Sequence, residues 1–251
     1  MSGEGAGLSP RGRLAWLDVA RGVALVAMAV YHFVWDLALF GIVPPITPFE
    51  PHWVGLARVT AATFLVLVGI GLALGHGRGI QWQPFWRRFA MIAGAAGLIT
   101  AGTLFAMPDA FIFFGILHMI AVGSLAGLLL VTRPAFISVI VAFIVAVIGF
   151  TVSAPLFDEP ALWWTGLGTR TIPSNDFVPF FPAFSAVAVG IAIAKIVPLN
   201  GMGSEGERNR SSNALSRTLA FAGRHSLAVY LLHQPILIGT LWLFVQAFGT
   251  G

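Results

Sequence analysis

The chain has 251 residues, 57% of them hydrophobic and only 10% charged, with a formal net charge of +4 and no cysteine. A soluble domain carries about 25% charged residues, so a water-facing surface cannot be assembled here and the outside must face lipid. The missing cysteine excludes disulfides, thiolate metal sites and thiol nucleophiles, and the positive balance reads as membrane topology rather than nucleic-acid binding.

Crossing about 30 Å of hydrocarbon takes roughly 20 apolar residues in a helix. The pattern predicts an all-α bundle of about seven spans: Leu14–Phe40, Val54–Leu74, Trp86–Met107, Phe111–Val131, Ala135–Ser153, Pro179–Leu199 and Ser226–Phe248. The first is too long and too polar for a secretory signal and is expected to stay in the mature protein. Residues 1–13 read as a disordered cytoplasmic N-terminus and 14–250 as one transmembrane domain. Within it 154–178 is an outer loop, 200–213 a polar cytoplasmic linker and 214–225 a short interfacial helix. With the N-terminus inside, Arg11, Arg13, Arg78, Arg87, Arg88, Arg133, Lys195, Arg208, Arg210, Arg217 and Arg224 all fall on the inner side. Only Arg170 falls outside, the skew that the positive-inside rule predicts for an inner-membrane protein with an odd number of spans. Gly69, Gly71, Gly75, Gly94, Gly97 and Gly102 read as close helix packing.

The first span carries Asp18, Arg21, His32 and Asp36. A charge in hydrocarbon costs roughly 2.5–3.5 kcal/mol, so such groups face the bundle interior and are functional candidates. At about 100° per residue the four fall within an arc of about 60°, one polar ribbon along the helix. Asp18 can pair with Arg21 and His32 with Asp36, each one turn apart. An Asp beside a His fixes its tautomer and raises its basicity, as a general base requires. The plain alternative is that the ribbon only fastens the helix into the bundle. His52 and Arg58 open the second span at the expected level of His32, and His118 lies near the outer end of the fourth, so these can converge on an outer site. His225 lies just before the last span and His233 within it, both on the inner half, and Pro235 frees a carbonyl one turn back. His76 reads as solvated in a basic loop. No His-Glu-x-x-His pattern occurs and no metal is expected.

Several stretches resemble a known family. Arg21-Gly22-Val23-Ala24 followed by Tyr31-His32-Phe33 is similar to the first span of the transmembrane acyltransferase superfamily. Gly223-Arg224-His225-Ser226-Leu227 with Tyr230-Leu231-Leu232-His233-Gln234-Pro235 resembles its terminal helix. Asn175-Asp176-Phe177-Val178-Pro179-Phe180-Phe181-Pro182 running into Val189-Gly190-Ile191 is similar to the branch related to heparan-α-glucosaminide N-acetyltransferase, found in bacteria as a short form. The resemblance implies a multi-pass enzyme moving an acetyl group from acetyl-CoA to a saccharide or glycan-like acceptor at the membrane. In the lysosomal relative that acceptor is a glucosamine amine. Its position matching His32 is an asparagine, and its essential histidine is matched, at an offset of two residues, by His52 before Trp53-Val54-Gly55-Leu56. In O-acyltransferase relatives the histidine matching His32 is catalytic. The chain lacks the large luminal domain of the lysosomal enzyme.

The resulting expectation is catalysis by His32, Asp36 and His52. Asp18, Arg21, Arg58, His118, Asp176, Arg224 and His233 are expected to contact donor or acceptor. Basic residues at the inner face (Arg21, Arg87, Arg88, Arg217, Arg224) suit the CoA phosphates, and His52 or Arg58 suits the oxyanion. Direct attack on the thioester and a route through acetyl-histidine both remain open. Partners are acetyl-CoA, the acceptor and the bilayer, with a homodimer a candidate assembly. The rival readings are a proton-coupled transporter or channel that uses the ribbon, and a non-catalytic scaffold.

Overall fold

A computed structural model of the chain describes residues 14–199 and 213–248. The segments expected as a disordered N-terminus, 1–13, and as a linker, 200–213 apart from Asn213, lie outside them. The protein is all-α: α1 (Ala15–Leu39), α2 (Pro51–His76), α3 (Trp82–Ala106), α4 (Ile116–Val131), α5 (Ala135–Thr151), α6 (Phe180–Ile196), α7 (Ala214–Arg224) and α8 (Ser226–Phe248). No strand occurs among the described residues. α1, α2, α3 and α8, of 23 to 26 residues, are long and apolar enough to cross a membrane. α4, α5 and α6 are apolar but shorter, at 16 or 17 residues. Fully exposed apolar side chains such as Phe105, Leu129, Phe143 and Phe150 stud the outside, as a lipid-facing surface requires.

The expected elements form close to their expected limits, for identifiable reasons. Pro51 sits in the first turn of α2, where a missing N–H costs nothing, so that helix starts earlier than its apolar run. α7 is capped by Asn213, whose side-chain oxygen accepts the Leu215 N–H at 3.1 Å. Lys195 of α6 donates to the carbonyls of Leu130 and Arg133, closing the C-terminus of α4. The 154–178 connection is two short 3-10 helices, pinned where the exposed Asp158 carboxylate accepts from the Thr169 hydroxyl and N–H and from the Arg170 N–H. The Thr169 hydroxyl is the chief cause that holds the Asp158 carboxyl below its usual range.

The core is α2, α4 and α6, where Leu65, Leu72, Met119, Val131, Val187 and Ile191 are all but sealed. Several crossings among the described residues are close enough to demand glycine, Gly149 of α5 against Pro182 of α6 among them. A β-carbon on Gly69 would strike the Val187 carbonyl, and one on Gly190 the Val66 carbonyl, so α2 and α6 touch backbone to backbone. α1 and α7 repeat the arrangement: Gly22 faces the Leu219 carbonyl and Gly223 the Asp18 carbonyl. Lipid tails give no hydrophobic drive to helix association, so such contact carries the bundle. Of the glycines expected to pack helices only Gly69 does so. Gly71 borders two guanidinium groups, and β-carbons at Gly75, Gly94, Gly97 and Gly102 would meet nothing within 4 Å. Those four turn away from neighbouring helices, which glycine content alone does not reveal.

Gly190→Ala and Gly223→Ala should therefore each cost about 1–3 kcal/mol or more through overpacking. Gly94→Ala and Gly97→Ala should be neutral or add up to about 1 kcal/mol of helix propensity. Thermal melting of the detergent-purified variants separates the two pairs.

Candidate functional site

The α1–α7 crossing sets Asp18 and Gly223 back to back, which carries Arg224 and His225 to the side of α1. There a cavity of about 630 Å3 opens, walled by Arg21, Arg88, Arg224 and His225 and by apolar residues of α2, α3 and α4. Asp18, only 3% exposed, accepts from Arg21 Nη1 at 3.2 Å, the expected one-turn pair. A β-carbon on Gly71 would lie 3.3 Å from Arg21 Nη2 and 3.8 Å from Arg88 Nη1, so both guanidinium groups crowd one small patch. Guanidinium groups so close together suit a ligand with anionic groups. Arg88 also borders a side chamber of about 320 Å3 with His76 and Gln81. His76 is not merely solvated, since its Nδ1 accepts the Gln81 N–H at 3.1 Å and so closes the α2–α3 turn.

A second, smaller cavity of about 100 Å3 lies against the first. Its polar lining is Tyr31, His32, Thr60, Asn175, Asp176 and Tyr230. Phe64, Ile116 and Tyr230 belong to the walls of both cavities. Asp176 arrives from the loop before α6. Its Oδ2 accepts the Ile116 N–H at 3.0 Å, at the N-terminus of α4, and the Tyr230 hydroxyl at 3.4 Å. Gly115 makes this approach possible, because a β-carbon there would collide with the carboxylate. Burial pushes the Asp176 carboxyl above its usual range, against the opposing pull of the Ile116 N–H, His32, Tyr230 and His118.

His32 Nδ1 lies 2.9 Å from the Met28 carbonyl. A carbonyl only accepts, so Nδ1 carries the proton and the neutral ring keeps its Nε2 lone pair, the form a general base needs. His118 has the opposite tautomer. Its Nδ1 accepts the Gly115 N–H at 3.2 Å, and its Nε2 meets Thr100 Oγ1 at 3.2 Å, while that hydroxyl donates to the Ile112 carbonyl at 2.7 Å. Both ring nitrogens of His118 are thus taken by the chain itself, and it serves to fasten α3 to the start of α4.

The expected His32–Asp36 pair does not form. A helical side chain leans toward its own N-terminus, so the His32 ring reaches back to Met28 and away from Asp36. Asp36, with no exposed surface, instead accepts Gln234 Nε2 from α8 at 2.8 Å. His233 is not remote from His32 either. α7 rides alongside α1, so α8 begins already inside the bundle, and seven residues at about 1.5 Å each lift His233 to the level of His32. Their rings meet edge to face at 4.8 Å.

His52 and Arg58 do not converge on this site. Ala57, Thr60, Ala61 and Phe64 give the face of α2 that lines the smaller cavity. At about 100° per residue His52 and Arg58 lie more than about 100° round from it. His52 is 63% exposed and 3.7 Å from Glu50. Arg87 and Arg217 line neither cavity. Sequence reasoning passed over Gln234, Tyr31 and Tyr230 as site residues, although a lone amide or phenol inside an apolar span carries the same signal as a charge. No group of three or more His, Asp or Glu side chains able to hold a metal occurs among the described residues.

Residues 13–235 match the family model described as heparan-alpha-glucosaminide N-acetyltransferase, catalytic. The chain belongs to that family. No curated protein and no solved structure matches it. Both cavities of this heparan-α-glucosaminide N-acetyltransferase-like domain lie wholly within the matched stretch, from Arg21 to Tyr230. The match stops at Pro235, directly after the Asp36–Gln234 contact, and takes in every polar group described above.

Asp176→Asn keeps an oxygen for the Ile116 N–H and the Tyr230 hydroxyl and removes a buried charge. The raised carboxyl favours the folded state below its unfolded value, and that advantage is lost as pH rises through the raised one. At neutral pH the variant should melt no lower than wild type, and wild type should lose more stability than the variant as pH climbs from the usual carboxylate range. Thermal melts across that window check both.

Proposed function

We propose that this acyltransferase-family protein takes an acetyl group from acetyl-CoA and transfers it to an amine or hydroxyl of a saccharide acceptor, with His32 as the base. The observation that carries this reading is the abutting pair of cavities, one walled by arginines and one by His32 and Asp176, with Phe64, Ile116 and Tyr230 shared between them. The larger has the size of a small-molecule site. A seven-span topology with the N-terminus inside puts the arginine side at the cytoplasm, where acetyl-CoA is made. Arg21, Arg88 and Arg224 hold the donor's phosphates, and the acyl end lies toward Tyr230.

In the smaller cavity His32 Nε2 takes a proton from the acceptor as its nitrogen or oxygen attacks the thioester carbonyl. The C–S bond breaks as the tetrahedral intermediate collapses, and the proton passes from His32 to the sulfur. The Tyr31 hydroxyl, in the same wall, is a donor for the oxyanion in place of His52 and Arg58. Asp176 faces His32 as the counter-charge when the ring becomes imidazolium, the role Asp36 was expected to fill. The reading also takes residues 14–250 as one domain in a bacterial inner membrane.

His32→Ala should abolish transfer of labelled acetyl from acetyl-CoA while the purified protein melts as wild type. Full turnover in that variant would remove His32 from the chemistry, and solute movement without acetyl transfer would favour the channel reading. Arg88→Gln and Arg224→Gln each forfeit a charge-assisted contact of about 1.5–3 kcal/mol, so the KM for acetyl-CoA should rise tenfold or more with kcat little changed.

A further inference from the structure

The α1–α8 interface holds a second imidazole that the transfer step leaves unused. His233 Nδ1 is hydrogen-bonded to the Tyr230 carbonyl, so by the same argument as for His32 its proton sits on Nδ1 and its Nε2 bears a lone pair. That Nε2 is buried and has no partner among the described residues. The ring stands at 77° to that of His32 with centroids 4.8 Å apart. The neighbouring Gln234 Oε1 and Asp36 Oδ2 are also buried without partners. An acceptor left unmatched in a sheltered place costs about 1–3 kcal/mol, and here every unmatched atom at the interface is an acceptor. Such a cluster lacks protons, and it lies directly behind the ring that handles them.

The chemistry of an amine acceptor supplies one. A free amine at neutral pH is largely an ammonium ion and cannot attack until it has lost a proton; it loses a second as the amide forms. The thiolate leaving group takes up only one of the two, so the other needs a base apart from the one in action.

Resting on the acetyltransferase reading, we propose that His233 is the proton-holding partner of His32, which takes over the first proton so that His32 is free to act a second time. The sequence balances. The acceptor ammonium gives a proton to His32 Nε2, which passes it to His233 Nε2. The free amine attacks the thioester carbonyl, the C–N bond forms and His32 takes the second N–H proton. As the C–S bond breaks the sulfur receives that proton, and His233 hands the first back through His32 to water in the emptied cavity. The sum is ammonium plus thioester giving amide, thiol and one proton. The groups facing His233 are His32 of α1, Tyr230 of its own helix at 5.5 Å ring to ring, and Asp36 reached across Gln234. His233 acts through His32 and is a positioning residue for the proton, outside the lining of the smaller cavity.

The test uses the full-length protein in nanodiscs with acetyl-CoA and two acceptors on one glucose skeleton, an amine and a weakly basic aminooxy analogue that is already unprotonated at neutral pH. His233→Gln keeps a side chain of similar reach and cannot carry the proton. Its kcat for the amine should fall about tenfold or more at neutral pH and recover as pH rises and frees the amine, while its kcat for the aminooxy acceptor stays within about twofold of wild type. An equal loss for both acceptors, or no loss for either, overturns the proposal. His32→Ala should lose both, and if it keeps both the parent reading falls instead. Should His233→Gln and His233→Asn fail to fold, wild type alone decides. If the site removes the ammonium proton, kcat/KM for the amine holds level below the amine's own pKa; a fall of about tenfold per pH unit from that point overturns the proposal.

Discussion

Everything in this bundle follows from the cost of showing the polar ribbon of α1 to lipid. Asp18 is 3% exposed and Asp36 not at all, while Val23, Val26, Val30 and Phe33 on the other side are 41–53% exposed. Four polar groups facing hydrocarbon at roughly 2.5–3.5 kcal/mol per charge would exceed the stability of most proteins, so the ribbon must be covered. α7 and α8 cover it in turn. Gly22 and Gly223 let α7 lie against the N-terminal half, and the polar face of α8 meets the rest through Gln234 and His233. Once α1 is so oriented, the positions of Arg224, His225 and Tyr230 follow from the α7–α8 turn, and with them the walls of both cavities.

The helices were legible because their signal is composition over a length set by the bilayer, and the ribbon because it depends only on helical period. Asp18–Arg21 was legible for the same reason. What the sequence hid were choices made between elements. Helical spacing allows His32 to pair with Asp36, but it does not say that the ring leans the other way or that an amide 198 residues later stands opposite the carboxylate. His52 and Arg58 sit at the right depth and on the wrong face of α2, a matter of helix rotation that no pattern in so uniformly apolar a segment records. His233 was placed by its position along its own span, which does not say which residue of α1 it meets. The Asp176 stretch was quoted for its family likeness, yet its partner Ile116 and its access past Gly115 belong to a turn sixty residues away.

The two cavities also have opposite electrostatic characters. Among the described residues three arginines line one, while Asp176 is the only carboxylate lining the other. Opposite signs on either side of a Phe64–Ile116–Tyr230 wall orient a molecule that is anionic at one end and uncharged at its reactive end. They also favour a cationic partner arriving from the other direction. The same potential stabilises an imidazolium at His32 in passing. Orientation and charge stabilisation therefore come from the same few residues.

Asp176 shows why such a site is held in place at some cost to the fold. Its carboxylate is enclosed, and no described cation sits beside it; its Oδ2 is met by an N–H, a phenol and, across the cavity, imidazole. A protein selected for stability alone would place an amide there and keep both hydrogen bonds. Retaining the charge makes sense where a transient positive charge must be met, and among the described residues the groups near it that can become positive are His32 and His118. His118 has both nitrogens committed to Gly115 and Thr100, and protonating Nδ1 would break its bond to the Gly115 N–H. That leaves His32, whose Nδ1 bond to Met28 survives protonation of Nε2 unchanged. The two tautomers, each fixed by a backbone group, thus separate the histidine that is free to take a proton from the one that is not.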